Sequence, residues 1–225
     1  MKNFIESTKG RKYYSSNQTK SKQSRMALSS KVANVASSSN SVVSLASSTS
    51  ANNIISGVPD YAWRNGCAPT SSAMILKYTF SSKLSNVSST TLIDKLAENM
   101  GVSFSGGATT DKFPTAITTV MDSYGIRVSS WNVGVGKDTS TFEIFKGEIN
   151  IGYPVLVSLI GSTATSTAYS NGFGNHAMAG VGYIISSYGD FLAVHTTAQE
   201  GEVYVNYDSS MLGKPNWTCI HRYGL

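Results

Sequence analysis

The order of the patterns along this chain constrains its fold more than any other feature. Apolar residues at helical spacing predict four helices in the first two thirds of the sequence, over 69–78, 90–100, 114–124 and 142–151. Beyond them the pattern changes and predicts five strands, over 154–160, 177–185, 191–196, 202–207 and 217–222. Helices that precede a run of strands are typical of an α+β domain, so we expect an α+β fold.

The first part of the chain differs in composition from the rest. Residues 15–53 consist mainly of Ser, Asn, Ala and Val, and such a segment has too little large apolar surface to offset its ordering entropy. Globular patterning begins at Ile54. We therefore expect a basic, Ser/Asn-rich tail or propeptide remnant over 1–53, which we expect to be disordered, followed by one folded domain over 54–225.

The net charge of +5 belongs to the tail. Seven Lys or Arg and a single acid, Glu6, lie between Met1 and Met26, which leaves eleven basic and twelve acidic residues in the remainder. The domain is therefore close to neutral, which argues against a nucleic-acid-binding face. No apolar run approaches the roughly 20 residues of a membrane helix, so we expect no membrane span.

The start of the chain is not typical of a signal peptide, because no apolar core of about 7–15 residues follows its basic residues. Two interpretations remain: a cytoplasmic protein, or a Met1 that lies inside a longer precursor. We favour the second, because Ser/Asn-rich arms often separate processed segments from catalytic domains. We therefore expect a secreted or cell-surface protein, with a cytoplasmic one as the alternative.

Cys67 is the first candidate for chemistry. It follows Gly66 and stands two residues before Pro69, in the segment GVPDYAWRNGCAPTSSAMILKY, where a helix is predicted to begin. The N–H groups and dipole at a helix N-terminus stabilise a thiolate and lower the pKa of the thiol. The main-chain N–H of Cys67 would also point toward a developing oxyanion. The structural alternative is a buried, unreactive cysteine.

His176 is the candidate base. It lies in GFGNHAMAGVGY, where a glycine-rich turn leads into an apolar strand of small residues. A histidine at the start of a strand can face a helix N-terminus across a cleft, and imidazole is the usual acceptor of a thiol proton. The rival is His195, whose place in mid-strand beside Thr196 fits a neighbour of an orienting residue better.

The remaining cysteine and histidine residues point to structure rather than chemistry. Cys219 and His221 share one face of the last predicted strand. The two cysteines and three histidines of the chain lack the paired spacing of a zinc site, so we expect no metal. We expect no other cofactor.

The segment GCAPTSSAMILKY resembles the nucleophile helix of papain-superfamily cysteine peptidases. It is most similar to the bacterial double-glycine, bacteriocin-leader-processing group and its secreted relatives, and more distantly to streptopain-type peptidases. GYPVLVSL followed by NHAMAGVGY matches the order seen there, a Pro-Val strand and then the strand of the catalytic histidine. The resemblance covers 58–222 and implies a papain-like fold. A helical N-terminal part would carry the cysteine, and a C-terminal antiparallel sheet would carry the histidine.

The resemblance also implies a third residue, an Asp or Asn about twenty positions after the histidine, which orients the imidazole. The matching position here is Thr196, and Ala198 stands where a Trp is expected. A threonine hydroxyl can accept a hydrogen bond from the ring N–H but offers no charge to the imidazolium. The orienting role could instead belong to Asp190, Asn206 or Asp208.

The family often carries a Gln six residues before the cysteine, which donates to the oxyanion. That position is Tyr61 in this chain. Tyr61 could donate through its hydroxyl, or Asn65 through its side-chain amide. The structural alternative is that Tyr61 and Trp63 pack beside the cleft.

Three functions follow from these residues. The first is a monomeric cysteine peptidase that hydrolyses a peptide or protein substrate through a thioester at Cys67, with His176 as general acid and base. The second is a related acyl transferase or amidase on the same fold. The third is a catalytically degenerate, peptide-binding module. The departures at Thr196 and Ala198 favour the third function, and the retained Cys67–His176 pair speaks against it.

Overall fold

The computed structural model describes residues 49–102, 107–133, 139–166 and 168–223. Its α-helices in these ranges are α1 (Cys67–Thr79), α2 (Ser89–Asn99), α3 (Phe113–Asp122) and α4 (Thr139–Asn150). Its strands are β1 (Thr49–Ile54), β2 (Val128–Val133), β3 (Val155–Ser162), β4 (Gly174–Ser186), β5 (Gly189–His195), β6 (Val203–Asn206) and β7 (Lys214–Arg222). The four α-helices of the described ranges lie between residues 67 and 150 and five of the seven strands follow them, so the predicted α+β class is confirmed.

The seven strands of the described ranges join one antiparallel sheet, in the order β2-β7-β3-β4-β5-β6, with β1 off this path and paired with β4. The long strand β4 organises it. Its first half pairs with β3, from Gly174 to Gly180, and its second half pairs with β1 and β5. The register of β4 with β5 begins only at Ala179. On the side that faces β5, residues 174–178 of β4 are therefore open to contact with another element. The candidate site lies on this side.

The strand β1 lies in the Ser/Asn-rich stretch before Ile54. It pairs with β4 up to Gly182, where a Cβ would lie 2.5 Å from the main-chain oxygen of Asn53. Only glycine lets β1 approach so closely. Residues 49–53, which were expected to belong to the tail, thus form part of a strand of this sheet. The expected tail over residues 1–48 lies outside the described residues.

A hydrophobic core covers each face of the sheet. On one face, α1, α2 and α3 bury apolar side chains that include Met74, Leu96 and Ile117. On the other face, α4 packs through Phe145 against Trp217. Full burial of one such side chain contributes about 1.5–3 kcal/mol to stability. In the ranges that the structure describes, no helix is both long and apolar enough to cross a membrane.

Candidate active site

Cys67 is the first residue of α1, two residues earlier than the helix start expected from the sequence. The chain enters the helix through Gly66, whose φ of +119° is a conformation that residues with a Cβ rarely adopt. A Cβ at Gly66 would also lie 3.1 Å from the ring of Pro69. Pro69 stands in the first turn, where a missing N–H leaves no helical bond unmade. Glycine and proline together thus place Cys67 at the helix N-terminus.

The hydroxyl of Thr70 fixes the loop that leads into Cys67. Its Oγ1 accepts from the N–H of Arg64 at 3.0 Å. The same Oγ1 lies 2.7 Å from the carbonyl oxygens of Arg64 and Gly66, to either of which it can donate. Thr70 is fully buried. One hydroxyl, one turn into α1, thus holds the backbone on the N-terminal side of the candidate nucleophile.

Asp94 of α2 binds the same loop from the outside. Its carboxylate accepts from Arg64 Nε and Nη2 at 2.8 and 2.6 Å, and from Asn65 Nδ2 at 2.6 Å. The hydrogen bond from Arg64 lowers the pKa of Asp94, and the charge of Arg64 and the amide of Asn65 add to this effect. Asn65 has a φ of +50°, which asparagine tolerates better than most residues. Its side-chain amide donates one hydrogen bond to Asp94, and its expected donation to an oxyanion stays a prediction.

Two side chains of α1 hold the backbone of Ala177, the residue after His176. The N–H of Ala177 donates to Cys67 Sγ at 3.4 Å, and its carbonyl accepts from Ser71 Oγ at 3.1 Å. Residues 67 and 71 are one helical turn apart and share a face of α1. This pair of contacts fixes the start of β4 against the N-terminal turn of α1. The structure thereby brings the segments of Cys67 and His176 together.

The environment of the Cys67 thiol determines how it can react. Burial raises the pKa of the Cys67 thiol, while the main-chain N–H groups of Ala177, Ala68 and Cys67 itself act in the opposite direction. Desolvation is the largest of these effects, because an apolar environment disfavours the charged thiolate. This effect favours the neutral thiol, so attack by Cys67 calls for a nearby base that takes the proton.

The ring nitrogen Nε2 of His176 has a main-chain partner. Its Nε2 lies 2.8 Å from the main-chain oxygen of Thr196, immediately after β5, and the residue is 7% exposed. A carbonyl oxygen only accepts hydrogen bonds, so Nε2 carries the proton. In the neutral imidazole, Nδ1 is then the nitrogen with the lone pair. This tautomer is the one that can accept a proton at Nδ1.

The contact from Thr196 differs from the one that the sequence suggested. Its hydroxyl accepts from the N–H groups of Ala198 and Gln199, both at 3.4 Å, and it is the carbonyl that contacts His176. The other candidates for the orienting residue bond to each other near the β5–β6 pair. Asp208 accepts from the N–H of Asp190 at 2.7 Å, and Asn206 accepts from the N–H of Asp208 at 2.8 Å.

Tyr169 is a site residue that the sequence did not single out. Its hydroxyl lies 2.9 Å from His176 Nε2, and its ring centroid is 4.6 Å from that of the imidazole. Phe173 packs on the same histidine, with centroids 6.1 Å apart and planes at 14°. Tyr169 and Phe173 are the aromatic residues of the loop 163–173, which otherwise consists of small residues. That contrast is the signal that could have found them.

The two aromatic residues Tyr61 and Trp63 lie in the segment that precedes α1. Tyr61 is half-buried and packs on the core beneath α1, and its burial raises the pKa of the hydroxyl. The N–H of Trp63 donates to the carbonyl of Thr197 at 2.7 Å. Thr197 has a φ of +69°, which is uncommon for a β-branched residue. This bond ties the segment that precedes Cys67 to the segment that follows Thr196.

The other two histidines have partners of their own, and the second cysteine is buried. His195 Nδ1 lies 3.2 Å from the carbonyl oxygen of Pro59. His221 pairs with Glu148 of α4 and stacks on Tyr153. Cys219 is buried, and burial raises the pKa of its thiol. Within the described ranges, no group of three or more His, Cys, Asp or Glu side chains is arranged to hold a metal ion.

Comparisons with known proteins give one family match and several similar solved structures. The model of the Peptidase_C39 like family matches residues 50–225. A comparison with curated proteins gives no match. Solved structures that resemble this one include a protein of Bacillus anthracis described as a C39-like peptidase. The two are 15% identical, with 75% of this chain and 97% of that one covered and a TM-score of 0.48.

A second similar structure is the active interpain A cysteine protease of Prevotella intermedia. It is 11% identical to this chain, with 76% of this chain and 96% of that one covered and a TM-score of 0.49. A prointerpain A fragment from the same organism is also 11% identical, with 76% of this chain and 73% of that one covered and a TM-score of 0.48.

Proposed function

Because this chain belongs to the Peptidase_C39 like family, we propose that it is a cysteine peptidase that hydrolyses peptide bonds through a thioester at Cys67. His176 is the general acid and base of this proposal. The family match confirms the relationship to papain-like cysteine peptidases that the sequence motifs indicated. The activity and the roles of individual residues are the proposal.

One observation carries the proposal. Ala177 donates its N–H to Cys67 Sγ, and the imidazole of the preceding residue, His176, is held by Nε2 on the carbonyl of Thr196. A structural cysteine has no need of a helix N-terminus, a glycine with positive φ before it and a contact with the residue that follows a histidine held in one tautomer. Nucleophilic catalysis by a thiol requires this combination of groups.

The chemistry begins from the neutral thiol. As Sγ of Cys67 attacks the carbonyl carbon of the scissile bond, its proton moves to Nδ1 of His176, and the carbonyl oxygen becomes an oxyanion. The N–H groups at the start of α1 include that of Cys67 and are oriented to stabilise this charge. When the C–N bond breaks, His176 returns the proton to the leaving amine, and a thioester remains on Cys67.

Hydrolysis of the thioester reverses these roles. His176 takes a proton from a water molecule, the resulting oxygen nucleophile attacks the thioester carbon, and the C–S bond breaks. The proton then returns to the sulfur of Cys67, and a carboxylic acid leaves. A related acyl transferase or amidase on this fold would use the same two residues, with a different acceptor or a different amide.

A degenerate peptide-binding module is the second candidate. It is favoured by the burial that raises the pKa of Cys67 and by Thr196, which offers a carbonyl where the family resemblance implies a carboxylate or an amide. In this function the protein would bind a peptide without cleaving it. The module and the peptidase therefore differ in whether Cys67 reacts.

We further propose that the substrate is a peptide or a protein, that the chain acts as a monomer, and that it works outside the cell or at its surface. The near-neutral charge of the domain, with eleven basic and twelve acidic residues beyond Met26, supports a peptide rather than a nucleic acid as the ligand. The Ser/Asn-rich composition of the first 53 residues supports the location.

Hydrolysis of a fluorogenic peptide library tests the proposal. We expect cleavage by the full chain and by the control variant Cys219→Ala, and none by Cys67→Ala. Cys219 is the matched control because it is the second of the two thiols in the chain and is buried away from the site. Equal cleavage by Cys67→Ala would refute the mechanism. Tight binding of library peptides without any cleavage would favour the binding module.

A further inference from the structure

His176 Nε2 has two oxygen atoms within hydrogen-bonding distance. The carbonyl oxygen of Thr196 lies at 2.8 Å and the hydroxyl oxygen of Tyr169 at 2.9 Å. The carbonyl requires the proton to be on Nε2, so the phenol oxygen is a second acceptor for the same N–H. The imidazole is therefore oriented by one main-chain group and one side chain.

The loop that carries Tyr169 is itself built to hold this position. Tyr169 and Ser166 exchange main-chain hydrogen bonds of 3.0 and 3.3 Å, and the N–H of Gly172 donates to the carbonyl of Tyr169 at 3.0 Å. Phe173 closes the loop by donating its N–H to the carbonyl of Ala164 at 2.9 Å. These bonds define one conformation for the backbone around the tyrosine.

A side chain from beyond β5 ties this loop to the Thr196 segment. Gln199 Oε1 accepts from the N–H of Ala168, the residue before Tyr169, at 3.1 Å. The N–H of Gln199 in turn donates to the hydroxyl of Thr196 at 3.4 Å. The two oxygen atoms that hold His176 therefore belong to segments that are bonded to each other.

We propose that Tyr169 is a positioning residue for His176, which takes over the side-chain contact that an Asp or Asn makes in related enzymes. This proposal rests on the proposed function, because it assigns a role at the same site. Tyr169 acts in two ways. Its oxygen holds the Nε2–H, and its ring, with Phe173, covers one side of the imidazole and limits the access of water.

The exchange of a carboxylate for a phenol has a chemical consequence. A neutral phenol oxygen accepts the Nε2–H, whose position the Thr196 carbonyl fixes, but it stabilises the imidazolium less than a full negative charge would. His176 is then a weaker acceptor of the thiol proton than a histidine paired with Asp. The site would favour proton transfer during attack over a thiolate–imidazolium pair that exists before the substrate binds.

The variant Tyr169→Phe removes the hydroxyl and keeps the ring. We expect a value of kcat/KM about fivefold lower, the effect of one hydrogen bond, with KM little changed. The acid limb of the pH profile should move to lower pH, because the imidazolium loses an acceptor for its N–H. Tyr188→Phe is the matched control, since Tyr188 is 51% exposed in the turn between β4 and β5, and it should match the wild type in both measurements.

A second readout does not depend on turnover. We would follow the His176 ring by NMR across the pH range in the full chain and in both variants, with thermal unfolding as the check on folding. The expected result is a lower titration midpoint in Tyr169→Phe alone, at an unfolding temperature close to that of the wild type. A shift in a protein that cleaves no peptide would sustain the positioning role and refute the proposed function. An unchanged midpoint with unchanged kcat/KM would overturn the inference.

The variants Gln199→Glu and Gln199→Leu test whether the hydrogen bond between Gln199 and Ala168 holds Tyr169 in place. Glutamate keeps an acceptor oxygen for the N–H of Ala168, and leucine removes it at similar size. We expect Gln199→Leu to reproduce part of the Tyr169→Phe shift and Gln199→Glu to resemble the wild type. The opposite ranking would contradict a positioning role that runs through this loop.

Discussion

The main-chain N–H of Ala177 donates a hydrogen bond to Sγ of Cys67 at 3.4 Å. Because β5 does not pair with β4 before Ala179, this part of the strand turns its polar groups to α1 instead of to a neighbouring strand. The position of the candidate nucleophile relative to the candidate base is thus set by secondary structure, not by flexible loops. Sites built on helices and strands hold their geometry more precisely than sites on loops.

The adjacent serines 71 and 72 should respond differently to removal of their hydroxyls. Both are fully buried, but Ser71 Oγ donates to Ala177, whereas Ser72 Oγ has no hydrogen-bond partner among the described residues. We expect Ser71→Ala to lower the free energy of unfolding by about 1 kcal/mol and Ser72→Ala to leave it unchanged or raise it. Urea denaturation measures both. Equal losses would show that the contact with Ala177 contributes nothing.

The hydroxyl of Thr70 should stabilise the conformation of the loop before Cys67. Thr70→Val keeps the shape but removes the acceptor of the Arg64 N–H and the donor to the carbonyl oxygens. We expect a loss of about 1–3 kcal/mol in the free energy of unfolding, together with slower alkylation of Cys67. Thr119→Val, on the exposed face of α3, is the control and should change neither. A Thr70→Val protein with wild-type alkylation would contradict the role of the loop.

The contribution of the Asp94 charge to stability should depend on pH in a defined direction. Its pKa in the folded protein is lowered from the usual 3.8, chiefly by the hydrogen bond from Arg64. The stabilisation is therefore complete above pH about 3.8 and is lost as the pH falls through the lower folded value. We expect the difference in unfolding temperature between the wild type and Asp94→Asn to be steady from pH 7 to about 4 and to shrink below that. It should also be small, because the pair is exposed. A difference that grows on acidification would be inconsistent with this interpretation.

The two oxygen atoms of Thr196 can be separated by one substitution. Thr196→Val removes the hydroxyl that accepts from Ala198 and Gln199 and leaves the carbonyl that accepts from His176. We expect the rate of Cys67 alkylation at pH 7 to stay within about threefold of the wild type, because two bonds of 3.4 Å are weak. A fall of tenfold or more in this alkylation rate would indicate that the hydroxyl of Thr196 orients His176.

The sequence was sufficient for the parts of the fold that carry a strong local pattern. The four helices were predicted close to their observed bounds, and α1 differs chiefly because Gly66 lets it begin at Cys67. The strand β2 was missed because VSSWNV is polar and mostly half-buried, so its apolar alternation is weak. The strand β1 was missed because its residues lie in a Ser/Asn-rich stretch, and its pairing depends on a distant glycine, Gly182.

At the site, residue types could be predicted but main-chain contacts could not. A cysteine at a helix start and a histidine before a strand have local sequence signals. The carbonyl of Thr196 has none, since every residue carries one. The interaction of Asn65 with Asp94 joins two elements that are far apart in sequence. Tyr169 contacts His176 only because the loop 163–173 folds back on β4.

The most direct test of this account is the rate at which iodoacetamide alkylates Cys67 as a function of pH, resolved by mass spectrometry. It is measured in the full chain and in His176→Ala, with buried Cys219 as an internal reference. We predict that Cys67 reacts at pH 7 in the wild type and at least about tenfold more slowly in His176→Ala, where reaction should require pH above about 9. Equal rates in the two proteins at every pH would contradict the Cys67–His176 pair and, with it, the proposed peptidase.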